Sequence, residues 1–538
     1  MGKNLWCGVA VVLTLVAGHA GATQVLPGAP NCGTVITEGN GDITSFNPLF
    51  SNDLANHRAA QLLYQPLVWV NRYGHIDYTR SIAAQLTVSP DRTIFTVTLR
   101  PWRWSNGVKV TAQDVVYEWH LIKNQGAAYP GYGTGGIPML VKSLTALDTT
   151  HVQIVLKHPV NPVWFIDNGL SMLQPLPATA WRGLSLDQLY QAQSRVGFFT
   201  VTDGPMKIQR LDIGRDAIFV TNPTYDGPKM HLSRLVLEFA PSDATAMEDV
   251  ESGGMDFAPL PLEFYRLVQH AKGVRTVVLS PVSFWYYIDL NYRNPKVAFF
   301  RDVRVRQALQ DAIDQKQIIK VVYNGFGMPI YTPIPAVNAD MLTPAMKKGV
   351  FPVGYDPQKA IALLTAAGFT RGPDGIMQKG GHRLEFTLLM TGGDVETMEL
   401  VEMLQAEFRA VGIKMNLRQV AFGQLMTLEV SHSTSWDAVE HGTVLPPFPS
   451  GEGLFSATAA ESSDGYADPE MTRLITQSIT QPGMAGMYAY ENYAAQQQPF
   501  IFLPTEGHVE LASERIQGMD GYNDGGLVAP SALYCTGP

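Results

Sequence analysis

The stretch Phe299 to Tyr323, FFRDVRVRQALQDAIDQKQIIKVVY, constrains the fold more than any other. Its apolar residues Val305, Ala308, Leu309, Ala312, Ile313 and Ile319 recur at three- and four-residue spacing, so one face of an amphipathic helix is buried and the other solvated. Asp302 stands just ahead of this run, where a carboxylate accepts from a free first-turn N–H and meets the positive end of the helix dipole. Immediately upstream, Phe284 to Asn291 (FWYYIDLN) reads as a strand. Trp285 and Tyr287 share one of its faces and Tyr286 takes the other, and the pattern leaves open which face packs inward.

A chain of 538 residues is too long for one ordinary core and suggests roughly three units. Hydrophobic residues at 46% and charged ones at 16% describe a turn-rich globular protein, which excludes long disorder. A formal charge of −9, with no basic run interleaved with aromatics, provides no field to hold a polyanion, so no nucleic acid is expected as a partner. Lys3, the apolar run Leu5 to Ala17 and the small residues Ala20-Gly21-Ala22 have the layout of a secretory signal peptide over residues 1–22. Its removal would leave Cys32 and Cys535, one near each end. In an oxidising compartment, with chain termini commonly close together, these two are expected to form a disulfide.

Further along, Gly33 to Thr37 alternates as a strand, Ser45-Phe46-Asn47-Pro48-Leu49 turns, and a helix from about Leu54 to Leu63 leads into Tyr64-Gln65-Pro66-Leu67-Val68. Thr93 to Leu99 is a strand, followed by Arg100, Trp104, the Asn106-Gly107 turn and Thr111-Ala112-Gln113-Asp114-Val115-Val116, a helix start with a capping threonine. Leu144 to Asp148 and Val152 to Lys157 form a further hairpin. Gly131 to Gly136 matches G-x-G-x-x-G, yet it follows a helix and runs into Ile137-Pro138, so it reads as a flexible loop rather than a phosphate cradle. Gly204 to Ile208, Asn222 to Pro228, Gly325 to Pro335 and Tyr355-Asp356-Pro357-Gln358-Lys359-Ala360 add ordered motifs. Leu384 to Met390, Glu396 to Val411 and Ile413 to Gln419 read as a β-α-β unit closed by Gly412.

In this order the motifs, including F-x-D-x-R-V-R-x-A-L-x-x-A-I-D around Asp302, resemble those of the family 5 solute-binding proteins. These are extracytoplasmic peptide- and nickel-binding receptors of ABC importers, and the similarity to dipeptide- and oligopeptide-binding members covers nearly all the chain after residue 22. The resemblance implies an α/β fold, a two-lobed periplasmic binding protein (type II, large cluster C-like) with an extra subdomain inserted in the first lobe. Residues 23–63, 201–284 and 506–538 would form lobe I, 64–200 the inserted subdomain and 285–505 lobe II. It implies a monomeric periplasmic receptor that closes on a peptide-like or other bulky solute and delivers it to ABC permease transmembrane subunits, with no cofactor and no metal. The ligand-binding candidates are Phe50, Ser51 and Asn52 after the first strand, Trp285 and Tyr286 on the crossing strand, and Glu440, His441 and Phe448. Arg301, Arg304 and Arg306 read as scaffold or interlobe contacts.

The chain departs from the family pattern at the peptide anchors. The aspartate that holds the α-ammonium in peptide-binding members falls here on Leu445 or Pro446, leaving Glu440 or Asp437 as replacements, and Met398 and Glu399 stand where dipeptide binders carry an arginine. A plain zwitterionic dipeptide is therefore not the expected ligand. No G-x-S-x-G, H-E-x-x-H or Walker-type loop is present, so catalysis is not expected; a secreted hydrolase and a ligand sensor without import are the alternatives.

Overall fold

Short strands joined by polar turns build the first of two units, residues 30–240 together with 515–536; the second comprises Pro241–Glu514. The computed structural model describes residues 30–39, 41–51, 53–279, 284–391, 395–456, 464–524 and 526–536. Residues 1–22, where a signal peptide is expected, lie outside that set.

The first unit contains β1 (Thr34–Glu38), α1 (Leu54–Leu63), β2 (Ala83–Val88), β3 (Ile94–Leu99), α2 (Ala112–Gln125), β4 (Val141–Ala146), β5 (His151–Leu156), β6 (Met206–Asp212), β7 (Asp216–Thr221) and β8 (Arg234–Glu238). Strands β1, β8, β7 and β6 are successive neighbours, with β1 and β8 parallel and the other pairs antiparallel. A separate antiparallel sheet runs β2–β3–β5–β4. Its period-two pattern buries Phe95, Val97, Val152, Ile154 and Leu156 on one face.

Local chemistry fixes the helix starts. Asp53 caps α1 by accepting from Asn56 N–H at 2.8 Å. At α2, the Asp114 carboxylate accepts from the Thr111 N–H at 2.8 Å, and its other oxygen accepts from the Ala178 N–H at 2.9 Å. Asp114 thus caps a helix and pins a distant loop. The glycine-rich segment is a packed turn rather than the flexible loop expected: Gly135 has φ +55°, and a Cβ there would fall 2.3 Å from the Gly169 nitrogen. Close backbone approach is what Gly135 serves.

The second unit contains β9 (Phe257–Pro259), β10 (Val274–Val278), β11 (Phe284–Leu290), α3 (Val303–Asp311), α4 (Gln315–Val321), β12 (Gly327–Met328), β13 (Glu385–Thr391), α5 (Val395–Val411), β14 (Lys414–Val420), β15 (Ala438–Val444), α6 (Ala485–Gln497), β16 (Ile501–Phe502), β17 (Thr505–Glu506) and β18 (Val509–Ser513). Its main sheet has the order β14–β13–β15–β11–β16, parallel from β14 through β15 and antiparallel on both sides of β11. Helix α5 crosses between parallel β13 and β14 and stops at Gly412, whose φ of +93° suits glycine.

The periodic stretch that reads as one helix is two. Asp302 caps α3 by accepting from Arg304 N–H at 3.0 Å, while Asp314 starts α4 by accepting from Gln317 N–H at 3.0 Å. The Asp311 carbonyl, which would continue α3, instead accepts from Asp356 N–H at 2.7 Å. Periodicity survives the break because Val305, Ala308, Leu309, Ala312, Ile313 and Ile319 are all buried.

The chain closes in the first unit, where β19 (Ile516–Gln517) pairs with β20 (Tyr534–Cys535). Cys535 is bonded to Cys32 with Cα atoms 5.2 Å apart, and Arg515 donates to the Cys32 and Thr34 carbonyls at 3.1 and 2.8 Å. Trp69 Nε1 donates to Asp524, and the Arg72 guanidinium reaches Asp520 and Asp524, so the last segment is fastened at several points.

Two outcomes follow. Cys535→Ser lowers the unfolding free energy by about 2–5 kcal/mol, since the crosslink closes a very long loop; denaturant unfolding of the oxidised and variant proteins measures this. Arg306→Leu lowers it by about 3 kcal/mol or more, because the buried carbonyls that this guanidinium serves lose their donor; the same titration reads the loss.

Candidate functional site

In the first unit the turn after β1 is built around Asn47. Its side chain accepts from Leu49 N–H at 3.1 Å, and its carbonyl accepts from Phe50 N–H and from the Ser51 hydroxyl, each at 3.0 Å. Ser51 is buried and its hydroxyl is engaged in the turn. Phe50 is half-buried and meets Tyr190 edge-on, ring centroids 5.3 Å apart, while Tyr190 is itself 53% exposed. The structure thus pairs Phe50 with an aromatic 140 residues later, a partner that local pattern gives no means of finding. Asn52 lies outside the described residues.

In the second unit the candidates fall on the two faces of the β11/β15 pair. Register places Tyr286 opposite Gly442 and Ile288 opposite Glu440, while Tyr287 lies opposite His441. The structure resolves the ambiguity of the aromatic run. Trp285 is fully buried, donates from Nε1 to the Pro333 carbonyl at 3.0 Å, and packs against Tyr287 and Phe502. Phe448 is likewise fully buried.

Tyr286 belongs to the other, half-exposed face, together with Phe284 at 4.9 Å centroid distance, exposed Val444 and buried Glu440. Gly442 makes that face possible, since a Cβ there would come within 2.5 Å of the Phe284 ring and 3.0 Å of the Tyr286 ring. The Tyr286 hydroxyl donates to Glu506 Oε1 at 3.2 Å. Burial, reinforced by the Glu506 carboxylate and then Tyr323, pushes the Tyr286 phenol well above its usual range, so it stays a donor.

His441 looks to the opposite face, where its ring meets Tyr287 at 5.7 Å. Burial lowers its pKa below 6.5, so it is neutral at pH 7. Glu440 and His441 are adjacent in sequence but are not brought to one site.

Asp437, one of the two replacement anchors, is committed internally. Its carboxylate accepts from Lys296 Nζ at 2.8 Å, Asn294 Nδ2 at 3.0 Å and Thr387 N–H at 2.9 Å. Leu445 is buried, and Met398 and Glu399 are exposed on α5. The three arginines are scaffold within the second unit: Arg301 donates to the Tyr292 carbonyl, Arg304 to Asp302 and Ala366, and Arg306 to carbonyls around residues 300 and 497. Phe284 and Glu506 are the neighbours of Tyr286 that sequence reasoning missed. Phe284 was legible from strand alternation, whereas Glu506 sits in an unrelated segment that only the tertiary fold brings to it.

Among the described residues, no helix is long and apolar enough to cross a membrane, and no group of three or more His, Cys, Asp or Glu side chains is arranged to hold a metal ion.

The family model for bacterial extracellular solute-binding proteins, family 5 Middle, matches residues 77–463. The oligopeptide-binding protein AppA of Bacillus subtilis is 23% identical over 510 residues, covering 91% of this chain and 90% of that protein. The periplasmic oligopeptide-binding protein OppA of Salmonella typhimurium is 23% identical over 499 residues, covering 87% and 86%. Among solved structures, the substrate-binding protein CtaP of Listeria monocytogenes aligns with a TM-score of 0.79 at 19% identity over 94% of this chain and all of that one. Bacillus subtilis AppA in complex with a nonapeptide aligns with a TM-score of 0.74 at 21% identity, covering 95% of this chain and 100% of that one. The fold is therefore that of the two-lobed binding proteins.

One titration follows from the site. In the folded protein the His441 imidazole titrates below pH 6.5, followed by its ring-proton NMR shifts. Because its folded pKa is depressed, the stability it contributes is present above about pH 6.5 and is lost as pH falls through the folded value. His441→Gln removes that acid-side slope.

Proposed function

Because the chain belongs to the family 5 bacterial extracellular solute-binding proteins, we propose that it is the extracytoplasmic receptor of an ABC importer, taking a peptide-like or other bulky solute between two lobes and handing it to the membrane permease. The observation that carries this reading is the family match over residues 77–463. Its family is one of binding receptors, and no chemical step is ascribed to the chain. The signal-peptide layout of residues 1–22 supports export to the periplasm, and we take lobe I as 23–63, 201–284 and 506–538, the inserted subdomain as 64–200 and lobe II as 285–505.

The ligand class rests on what the second unit offers. With Leu445 or Pro446 where peptide binders carry an ammonium anchor, and Asp437 bound to Lys296, Asn294 and Thr387, the remaining face is aromatic, with Phe284 and Tyr286 beside Glu440. Such a face suits an extended solute with apolar side groups, gripped by ring contact more than by a terminal charge. The AppA relative bound to a nonapeptide is consistent with a long ligand rather than a dipeptide. Closure follows from differential binding: a solute that touches both lobes only when they are closed shifts the hinge equilibrium toward that state.

Native mass spectrometry of protein purified from its own periplasm identifies the carried solute, and small-angle scattering with pooled nonapeptides or pooled dipeptides tests closure. The expected result is a smaller radius of gyration with nonapeptides and none with dipeptides. Tyr286→Ala weakens nonapeptide binding by about tenfold or more, near 1.4 kcal/mol. Binding without any change in the radius, or turnover of the bound solute, overturns the reading.

A further inference from the structure

Glu506 stands at the edge of the aromatic face of β11 and β15 and is held there from two sides. On one side the Tyr286 hydroxyl donates to its Oε1 at 3.2 Å. The Leu503 N–H donates to the Tyr286 carbonyl at 2.9 Å and the Thr505 hydroxyl to the Phe284 carbonyl at 3.2 Å, so the segment carrying Glu506 runs along the strand that carries both rings. On the other side Glu506 is paired with Gly327, where a Cβ would fall 2.7 Å from the Thr505 carbonyl oxygen. Glu506 is half-buried, as are Phe284 and Tyr286, and Val444, opposite Phe284, is 68% exposed. The carboxylate is therefore fixed in place, yet reached by solvent, beside two rings whose centroids lie 4.9 Å apart.

Its charge is handled differently from that of Asp437. Asp437 collects Lys296 Nζ, Asn294 Nδ2 and the Thr387 N–H. Glu506 receives a neutral phenol, and among the described residues no Lys, Arg or His forms an ion pair with it. The Tyr286 hydroxyl orients the carboxylate without cancelling its charge. A carboxylate left without a cation, next to ring faces that carry negative potential, is complementary to a positive group.

We propose that Glu506 and the Phe284–Tyr286 ring pair form a subsite for a basic side group of the carried solute, the carboxylate taking its ammonium or guanidinium head and the rings its methylene stem. The subsite presupposes the receptor function proposed for the chain, in which a peptide-like solute meets this face. A long side chain suits it better than a terminal ammonium. Lysine and arginine have an apolar stem that lies along a ring face while the head reaches an acid at its edge, and a terminal ammonium has none.

Equilibrium dialysis of the full chain against pooled nonapeptides, read by mass spectrometry, tests the subsite. Each pool carries either one lysine or one acetyl-lysine, and each is used with a free and with an acetylated N-terminus. The wild-type protein is expected to retain the lysine peptides about tenfold over their acetyl-lysine twins, whichever N-terminus they carry. Glu506→Gln, whose side-chain carbonyl still accepts from Tyr286, brings that ratio close to one. The ratio is internal to each protein, so a general loss of affinity in the variant does not imitate the effect. Salt raised to about 0.5 M lowers the ratio in the wild type and leaves it near one in the variant. A wild-type ratio near one with acetyl-lysine peptides still bound, an excess that survives Glu506→Gln, or an excess confined to free N-termini overturns the subsite and leaves the receptor function standing. Retention of neither kind of peptide overturns both.

Discussion

Arg306 lies inside the second unit at 4% exposure, and its guanidinium is the donor on which the surrounding layers depend. Nε donates to the Gln497 and Gln498 carbonyls at 2.8 and 3.1 Å, and Nη1 to those of Phe300 and Arg301 at 2.8 and 3.2 Å. The rings of Tyr292 and Tyr466 lie 5.6 and 6.0 Å from its carbon. A lysine could not do this, because its single ammonium has neither the planar fork nor the weak hydration that lets a guanidinium be buried among carbonyl dipoles. The Gln497 and Gln498 carbonyls close the end of α6, where Gln498 adopts φ +46°, a left-handed conformation usual for glycine. Glutamine holds the position because its amide donates to the Ala495 and Tyr331 carbonyls at 2.7 and 3.2 Å. From that corner the chain turns into β16, whose Phe502 exchanges two hydrogen bonds with the Gln310 side chain and accepts a third from Gln315. Two buried glutamines on successive helices thus stand in for a neighbouring strand, and β16 is set against β11.

Much of this was legible in sequence, for a definable reason. Apolar periodicity reports which side chains are buried, and in α3 and α4 the expected residues are buried. It does not report where the backbone hydrogen bonds go, so the interruption after Asp311 was invisible until the Asp356 N–H was seen to take its carbonyl. Likewise Arg306 occupies a position in the helix that looks solvated by composition alone, and only the carbonyls of a segment nearly 200 residues away make it a buried residue. Strand alternation correctly set Trp285 against Tyr286, but which face is core depends on Pro333, Phe500 and Phe502, none of them local.

The candidate site was harder to read than the fold because polar residues at fixed spacing serve structure as readily as binding. Asp114, within the most ordered motif of the first unit, is used up by Thr111 and Ala178. Asp437, offered as an anchor, is used up by Lys296, Asn294 and Thr387. In each case a buried carboxylate has collected backbone or side-chain donors enough to hold its charge, and a carboxylate so satisfied has little left to offer an incoming cation. A sequence shows that an acid is present; only its hydrogen-bond partners show whether it is available.

The same reasoning explains the character of the half-exposed face of β11 and β15. Glycine at 442 lets two aromatic rings lie against the strand pair, where any side chain would lift them away. Tyr286 at the edge of that shelf is held by Glu506, whose carboxylate accepts its hydroxyl at 3.2 Å. A shelf of this kind discriminates by shape and apolar area, since a ring face accepts many side groups and rejects few. If solute is bound there, as proposed, such a surface would grip by length and bulk more than by a terminal charge.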